Sequence, residues 1–120
     1  MAKEIQASGR LVYDDGDSLL AFDKGLQKLD SSGKQYVHTN QNVGTSEEAL
    51  DIGDLTTLGW AIFFNHDPTN FVEIRPGTGG TDFLKIKPRE VAGPLRLATN
   101  GPWAIADTAG VKLEYLIIED

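Results

Sequence analysis

Cysteine is absent from this 120-residue chain, which excludes disulfide staples, thiolate metal sites and a cysteine nucleophile. Secreted domains of this size often carry disulfides, so the absence favours cytoplasmic synthesis. Histidine is scarce as well: His38 and His66 are the only two, which leaves few ways to build a nucleophile beside a base. No run approaches the roughly 18 apolar residues of a membrane-spanning helix. Lys3 is followed by no apolar segment, so neither a signal peptide nor a membrane partner is expected. Positive charge is outnumbered, with 11 basic against 18 acidic residues and a net charge of −7. A phosphate backbone is bound by a cationic surface, so nucleic acid is not an expected partner. The acidic balance favours solubility and contact with neutral or basic surfaces.

What is present reads as one globular core. Hydrophobic residues make up 40% and charged residues 24%, ordinary proportions for a folded domain. A chain of this length is expected to form a single domain, residues 1–120, and to bury about two-thirds of its unfolded surface.

The second half is punctuated into strands. The aromatic run Gly59-Trp60-Ala61-Ile62-Phe63-Phe64 stops at Asn65-His66-Asp67-Pro68-Thr69-Asn70, a cluster of turn formers. Phe71-Val72-Glu73-Ile74-Arg75 then reads as its return strand, which predicts a hairpin with a medium loop. Three glycines in Gly77-Thr78-Gly79-Gly80 permit a tight reversal. In residues 82–87 Leu84 and Ile86 alternate with Lys85 and Lys87, and Pro88 ends the strand. Residues 91–98 place Leu95 and Leu97 on one face, with Pro94 marking an edge or a bulge because proline cannot donate to a ladder. Asn100-Gly101-Pro102 turns into Trp103-Ala104-Ile105-Ala106-Asp107. Val111, Leu113, Tyr115 and Ile117 occupy every second position, the period of a half-buried strand expected to lie in a sheet to its last residues.

The first half is less regular. Residues 5–13 read as a strand broken by Asp14-Asp15-Gly16-Asp17, and residues 36–40 as another, entered through Ser31-Ser32-Gly33. Between them Leu19, Phe22, Leu26 and Leu29 have helical spacing, and Asp17 or Ser18 could cap it. Gly25 in mid-helix and a neighbourhood of strands favour a strand instead. Thr45-Ser46-Glu47-Glu48 has the capping-box spacing and predicts a single helical turn before Leu50. Eight to ten short strands make an all-β protein, an antiparallel β-sandwich or jelly roll. Residues 46–120 would be its core and residues 1–45 a less regular arm.

No catalytic signature emerges, so the chain is not expected to be an enzyme. His66 stands beside Asp67 in a turn, where sequence neighbours rarely converge on one atom. Asp14, Asp15 and Asp17 lack the spacing and closing glutamate of a calcium loop, and read as a charged hairpin tip. The glycine-rich stretch lacks the lysine and hydroxyl of a phosphate loop. Trp60 and Trp103, with Tyr36, could form a sugar-stacking platform, though tryptophan among strand aliphatics usually packs in the core. No cofactor, metal or catalytic residue is expected, and no binding residue is assigned.

One resemblance is carried by Gly44-Thr45-Ser46-Glu47-Glu48-Ala49-Leu50-Asp51-Ile52-Gly53-Asp54, by Thr69-Asn70-Phe71-Val72-Glu73-Ile74, by Phe83-Leu84-Lys85-Ile86-Lys87 and by the ending over residues 104–120. These stretches resemble small virion-associated β-proteins of tailed bacteriophages over about residues 44–120. Leu58, where proline would be expected, and Pro88-Arg89 before Glu90 depart from the pattern in turns. The resemblance implies a setting and not an activity, and no site residues transfer with it. It implies a virion structural protein made in the host cytoplasm, most simply a capsid decoration or cement protein. Its partners would be further copies of itself, in a trimer or other homo-oligomer, and other virion proteins such as the major capsid protein. A tail, connector or fibre-associated role fits the same features, and a carbohydrate-binding module is the expectation from another class.

Overall fold

The computed structural model describes residues 5–30 and 33–120, so Lys3, Ser31 and Ser32 lie outside the described residues. Ten strands and no helix occur among the described residues, and the expected all-β fold is observed. The chain divides into two compact units, Met1–Ser32 and Gly33–Asp120.

The second unit is a β-sandwich of two four-stranded antiparallel sheets. Its strands are β3 (Tyr36–Val43), β4 (Glu48–Ala49), β5 (Leu58–Asn65), β6 (Val72–Arg75), β7 (Leu84–Ile86), β8 (Val91–Arg96), β9 (Trp103–Ala106) and β10 (Val111–Glu119). One sheet has the order β3-β10-β5-β8 and the other β4-β9-β6-β7. Tyr36–Val43 therefore belongs to the sandwich, and the separate unit ends at Ser32, short of the arm expected over residues 1–45.

Alternation in β10 organises the core. Val111, Leu113, Tyr115 and Ile117 are buried, with Phe63 and Ala61 of β5 directly opposite the last two. The Phe63 and Tyr115 rings lie 6.1 Å apart. The facing sheet contributes Val72, Ile74, Ile86, Ala104 and Ala106. Each large side chain fully buried there contributes about 1.5–3 kcal/mol. The Tyr115 hydroxyl lies 2.7 Å from the Asp51 carbonyl and 2.9 Å from Gln41 Oε1, tying the loop after β4 to the sheet. Burial, reinforced by the negative charge of Asp51, pushes this hydroxyl up to about 12, so it stays neutral and able to donate.

Two expectations need correction. The runs around Gly59–Phe64 and Phe71–Arg75 form no hairpin: β5 and β6 lie in different sheets. The turn cluster between them is a corner, held by the wholly buried Asn65. Its Nδ2 donates to the carbonyls of Asn70 (2.9 Å) and Ile86 (3.0 Å), and its Oδ1 accepts from the Asp67 amide (2.8 Å). Its main chain bonds Glu90 and Arg89 of the β7–β8 turn. The chain is thus diverted from one layer to the other instead of folding back in plane. The capping-box turn at Thr45–Glu48 is also absent, because both acids are engaged elsewhere. Glu48 pairs with Ala104 in β9 and accepts from the Gly44 amide. Glu47 accepts from Arg75, Thr78 and the Gly79 amide.

Other breaks fall as the sequence indicates. The glycine-rich stretch joins the antiparallel pair β6 and β7, with Gly79 at φ +67°. β8 is an edge strand, and Gly93-Pro94 supplies the extra residue where its register with β5 shifts. Gly93 has φ +109°, and a Cβ there would stand 2.8 Å from the Ala61 carbonyl oxygen, so only glycine fits the bulge.

The first unit is a long hairpin, β1 (Ile5–Asp14) with β2 (Leu19–Leu29). The strand reading of residues 19–29 holds, and the helix-spaced residues are divided between the two faces of the ribbon, Phe22 and Leu29 on one and Leu19 and Leu26 on the other. Gly9 faces Gly25 and Arg10 faces Asp23, so Lys24 is an extra residue that shifts the alternation by one. Gly25 adopts φ +65° to make the bulge.

Asn65→Ala would strand two carbonyls and an amide in the interior, and is expected to cost about 2–4 kcal/mol in urea unfolding followed by tryptophan fluorescence. Asn65→Asp should be at least as costly, since a carboxylate would face the Asn70 and Ile86 carbonyls.

Candidate interaction surface

Strand register sorts the hairpin side chains onto two faces, because directly opposed residues share a face. One face carries the pairs Ile5/Leu29, Ala7/Gln27, Gly9/Gly25, Leu11/Phe22 and Tyr13/Leu20. It holds no charged residue, and Gln27 is its sole amide. The other carries Gln6/Lys28, Ser8/Leu26, Arg10/Asp23, Val12/Ala21 and Asp14/Leu19. Arg10 and Asp23 form an ion pair at 3.6 Å on this second face.

The distal part of the uncharged face is open to solvent. Leu11 is 75% exposed, Leu20 64%, and Tyr13 and Phe22 60% each. Lys24, the bulge residue, brings its ammonium 5.1 Å from the Phe22 ring. Four large apolar side chains side by side form a patch at the upper end of what a soluble monomer exposes. A two-stranded hairpin is at best marginally stable in water without a layer against its apolar side.

The hairpin tip uses its acids internally. Asp14 accepts from the Gly16 amide, and Asp15 from the amides of Asp17 and Ser18. These bonds hold the Asp15 carboxyl below its ordinary range, the Ser18 amide first among them. Among the described residues no group of three or more histidines, aspartates or glutamates is placed to hold a metal ion.

His66 turns away from Asp67, which instead accepts from the amides of Asn70 and Thr69 and caps its own loop. His66 meets Glu114 at 2.6 Å, and His38 meets the other Glu114 oxygen at 2.9 Å. Adjacent strands β3, β5 and β10 bring the three together on the outer face of their sheet. No sequence signal pointed to this group, since its members are separated by 28 or more positions and are joined only by sheet order.

Trp60 and Trp103 lie on different sheets and are each half-buried, so they share no platform. The Arg96 guanidinium covers Trp60 at 5.5 Å. Tyr36 is exposed on edge strand β3. A groove of about 490 Å³ opens between the β6–β7 and β8 sides of the sandwich, lined by Ile74, Leu84, Leu95 and Leu97, with Phe83 exposed at 80%. It contains no converging acid–base pair beyond Arg75 and Asp82, which are bonded to each other.

No protein-family profile, curated protein or solved structure matches this chain.

The hydrogen bonds from His66 and then His38 hold the Glu114 carboxyl below its ordinary range. A depressed folded value means the contribution is complete above the unfolded value of 4.5 and fades as pH falls through the folded one. Urea midpoints of the native chain and of Glu114→Gln should therefore differ at pH 7 and draw together as the pH falls below 4.5.

Proposed function

We propose that this chain is a structural protein of a tailed-bacteriophage particle, a decoration or cement protein that acts by assembly and not by turnover. The observation that carries this reading is the hairpin: 26 described residues build two long strands on which Leu11, Tyr13, Leu20 and Phe22 stand exposed side by side. A catalytic domain has no evident use for such an element, whereas a protein that binds into a shell needs arms and exposed apolar faces.

Two further features support it. The sequence resemblance over about residues 44–120 points to virion proteins. The strand order supports a jelly roll, in which every sandwich connection crosses between sheets except the β6–β7 hairpin. That architecture is frequent in viral shells but also in lectins, so it sets a prior and not a function. The proposed partners are the major capsid protein and other copies of the chain, with the protein made in the host cytoplasm and carried in the virion. The net charge of −7 suits basic patches on a shell.

Purified protein mixed with phage heads that lack it should co-sediment to a fixed number of copies per particle, without added sugar. Retention on polysaccharide that is lost in Trp60→Ala or Trp103→Ala, with no particle binding, would overturn the proposal in favour of a carbohydrate-binding module.

A further inference from the structure

We infer that the uncharged face of the hairpin is covered by the same face of a second copy of this chain. The inference rests on the assembly reading above and names the occupant of its exposed face.

Charge selects that occupant. Copies bearing −7 each repel one another, so contact between them is favoured where no carboxylate is brought near another. The face with Leu11, Tyr13, Leu20 and Phe22 has no carboxylate along its length, while Asp14 and Asp23 are on the opposite face. A nucleic acid or an anionic membrane would need cations, and among the described residues the paired positions of this face hold none, with Lys24 of the bulge set against the Phe22 ring. A strongly charged protein surface would lose its hydration against these side chains without gaining an ion pair. A second uncharged, two-stranded apolar face has neither cost.

Shape and area agree with this choice. Two twisted ribbons can stack as sheets do, about 10 Å apart with side chains interdigitating. Tyr13 and Phe22 are aromatic, a class that buries about 150–250 Å² each, and with the smaller Leu11 and Leu20 the four at these exposures present on the order of 500 Å² per copy and ~1,000 Å² per pair. That is about the lower bound for a specific interface. Pairing also gives each hairpin the apolar layer that two strands lack alone.

The test is the solution mass of the full chain by light scattering over a range of concentrations. A mass of at least twice 13.1 kDa is expected, dropping to the single-chain value in Leu11→Ser with Phe22→Ser. Val12→Ser with Leu19→Ser, on the opposite face, should leave the oligomer unchanged. Trp60 and Trp103 both lie in the sandwich, so their fluorescence reports whether each variant keeps that unit folded. If the first variant does not fold, Tyr13→Ser with Leu20→Ser puts the same question.

A native chain of 13.1 kDa at every concentration overturns the inference, as does an oligomer indifferent to all four apolar-face substitutions. A monomer that still saturates phage heads would sink this inference and leave the decoration role standing. An oligomer that needs Leu11 and Phe22 but ignores the particle would do the reverse.

Discussion

A single buried amide fixes how the two layers of the sandwich are joined. Asn65 ends the central strand β5 at a point where the chain must leave one sheet for the other. Its side chain and main chain bond the corner that follows, the end of β7 and the β7–β8 turn. An apolar residue there would pack, but it would leave carbonyls of two segments without donors. Burial supplies most of the stabilisation of such a core, while satisfied polar groups of this kind determine which arrangement of the layers is populated.

The parts of the fold legible in the sequence are those fixed by local pattern. Alternation at Val111, Leu113, Tyr115 and Ile117 marks β10 because both neighbours of that strand bury the same face. Glycine and proline mark the β6–β7 reversal and the β8 bulge because the backbone there admits little else. Partner choice was not legible. The runs on either side of Asn65 look like a hairpin, since a corner and a hairpin draw on the same turn residues, and only burial of Asn65 distinguishes them. The capping-box pattern at Thr45–Glu48 failed for a related reason: Glu47 and Glu48 find Arg75, Gly44 and the Gly79 amide, partners brought by tertiary structure.

The candidate surface was half legible. Asp14-Asp15-Gly16-Asp17 announces a tip and residues 5–13 a strand, but the apolar face stays hidden because the bulge at Lys24 breaks the period of two. Leu19, Phe22, Leu26 and Leu29 stand at intervals of three and four, which imitate a helix. Once the register is known, Leu20, Phe22 and Leu29 fall on the uncharged face, and Leu19 and Leu26 on the other. The His38–Glu114–His66 group was not legible at all, since it depends on β10 lying between β3 and β5.

The two units treat their apolar residues differently: the sandwich buries its own between two layers, whereas Leu11, Tyr13, Leu20 and Phe22 of the ribbon are exposed. Within the ribbon, Gly9 stands opposite Gly25, and neither would place a Cβ near another atom. At that pair the ribbon has no cross-strand side-chain contact to lose, so bending there meets less resistance than at its neighbours. Copies joined through the distal residues could accordingly adjust to surfaces of different curvature while the contacts at Leu11 and Phe22 stay intact.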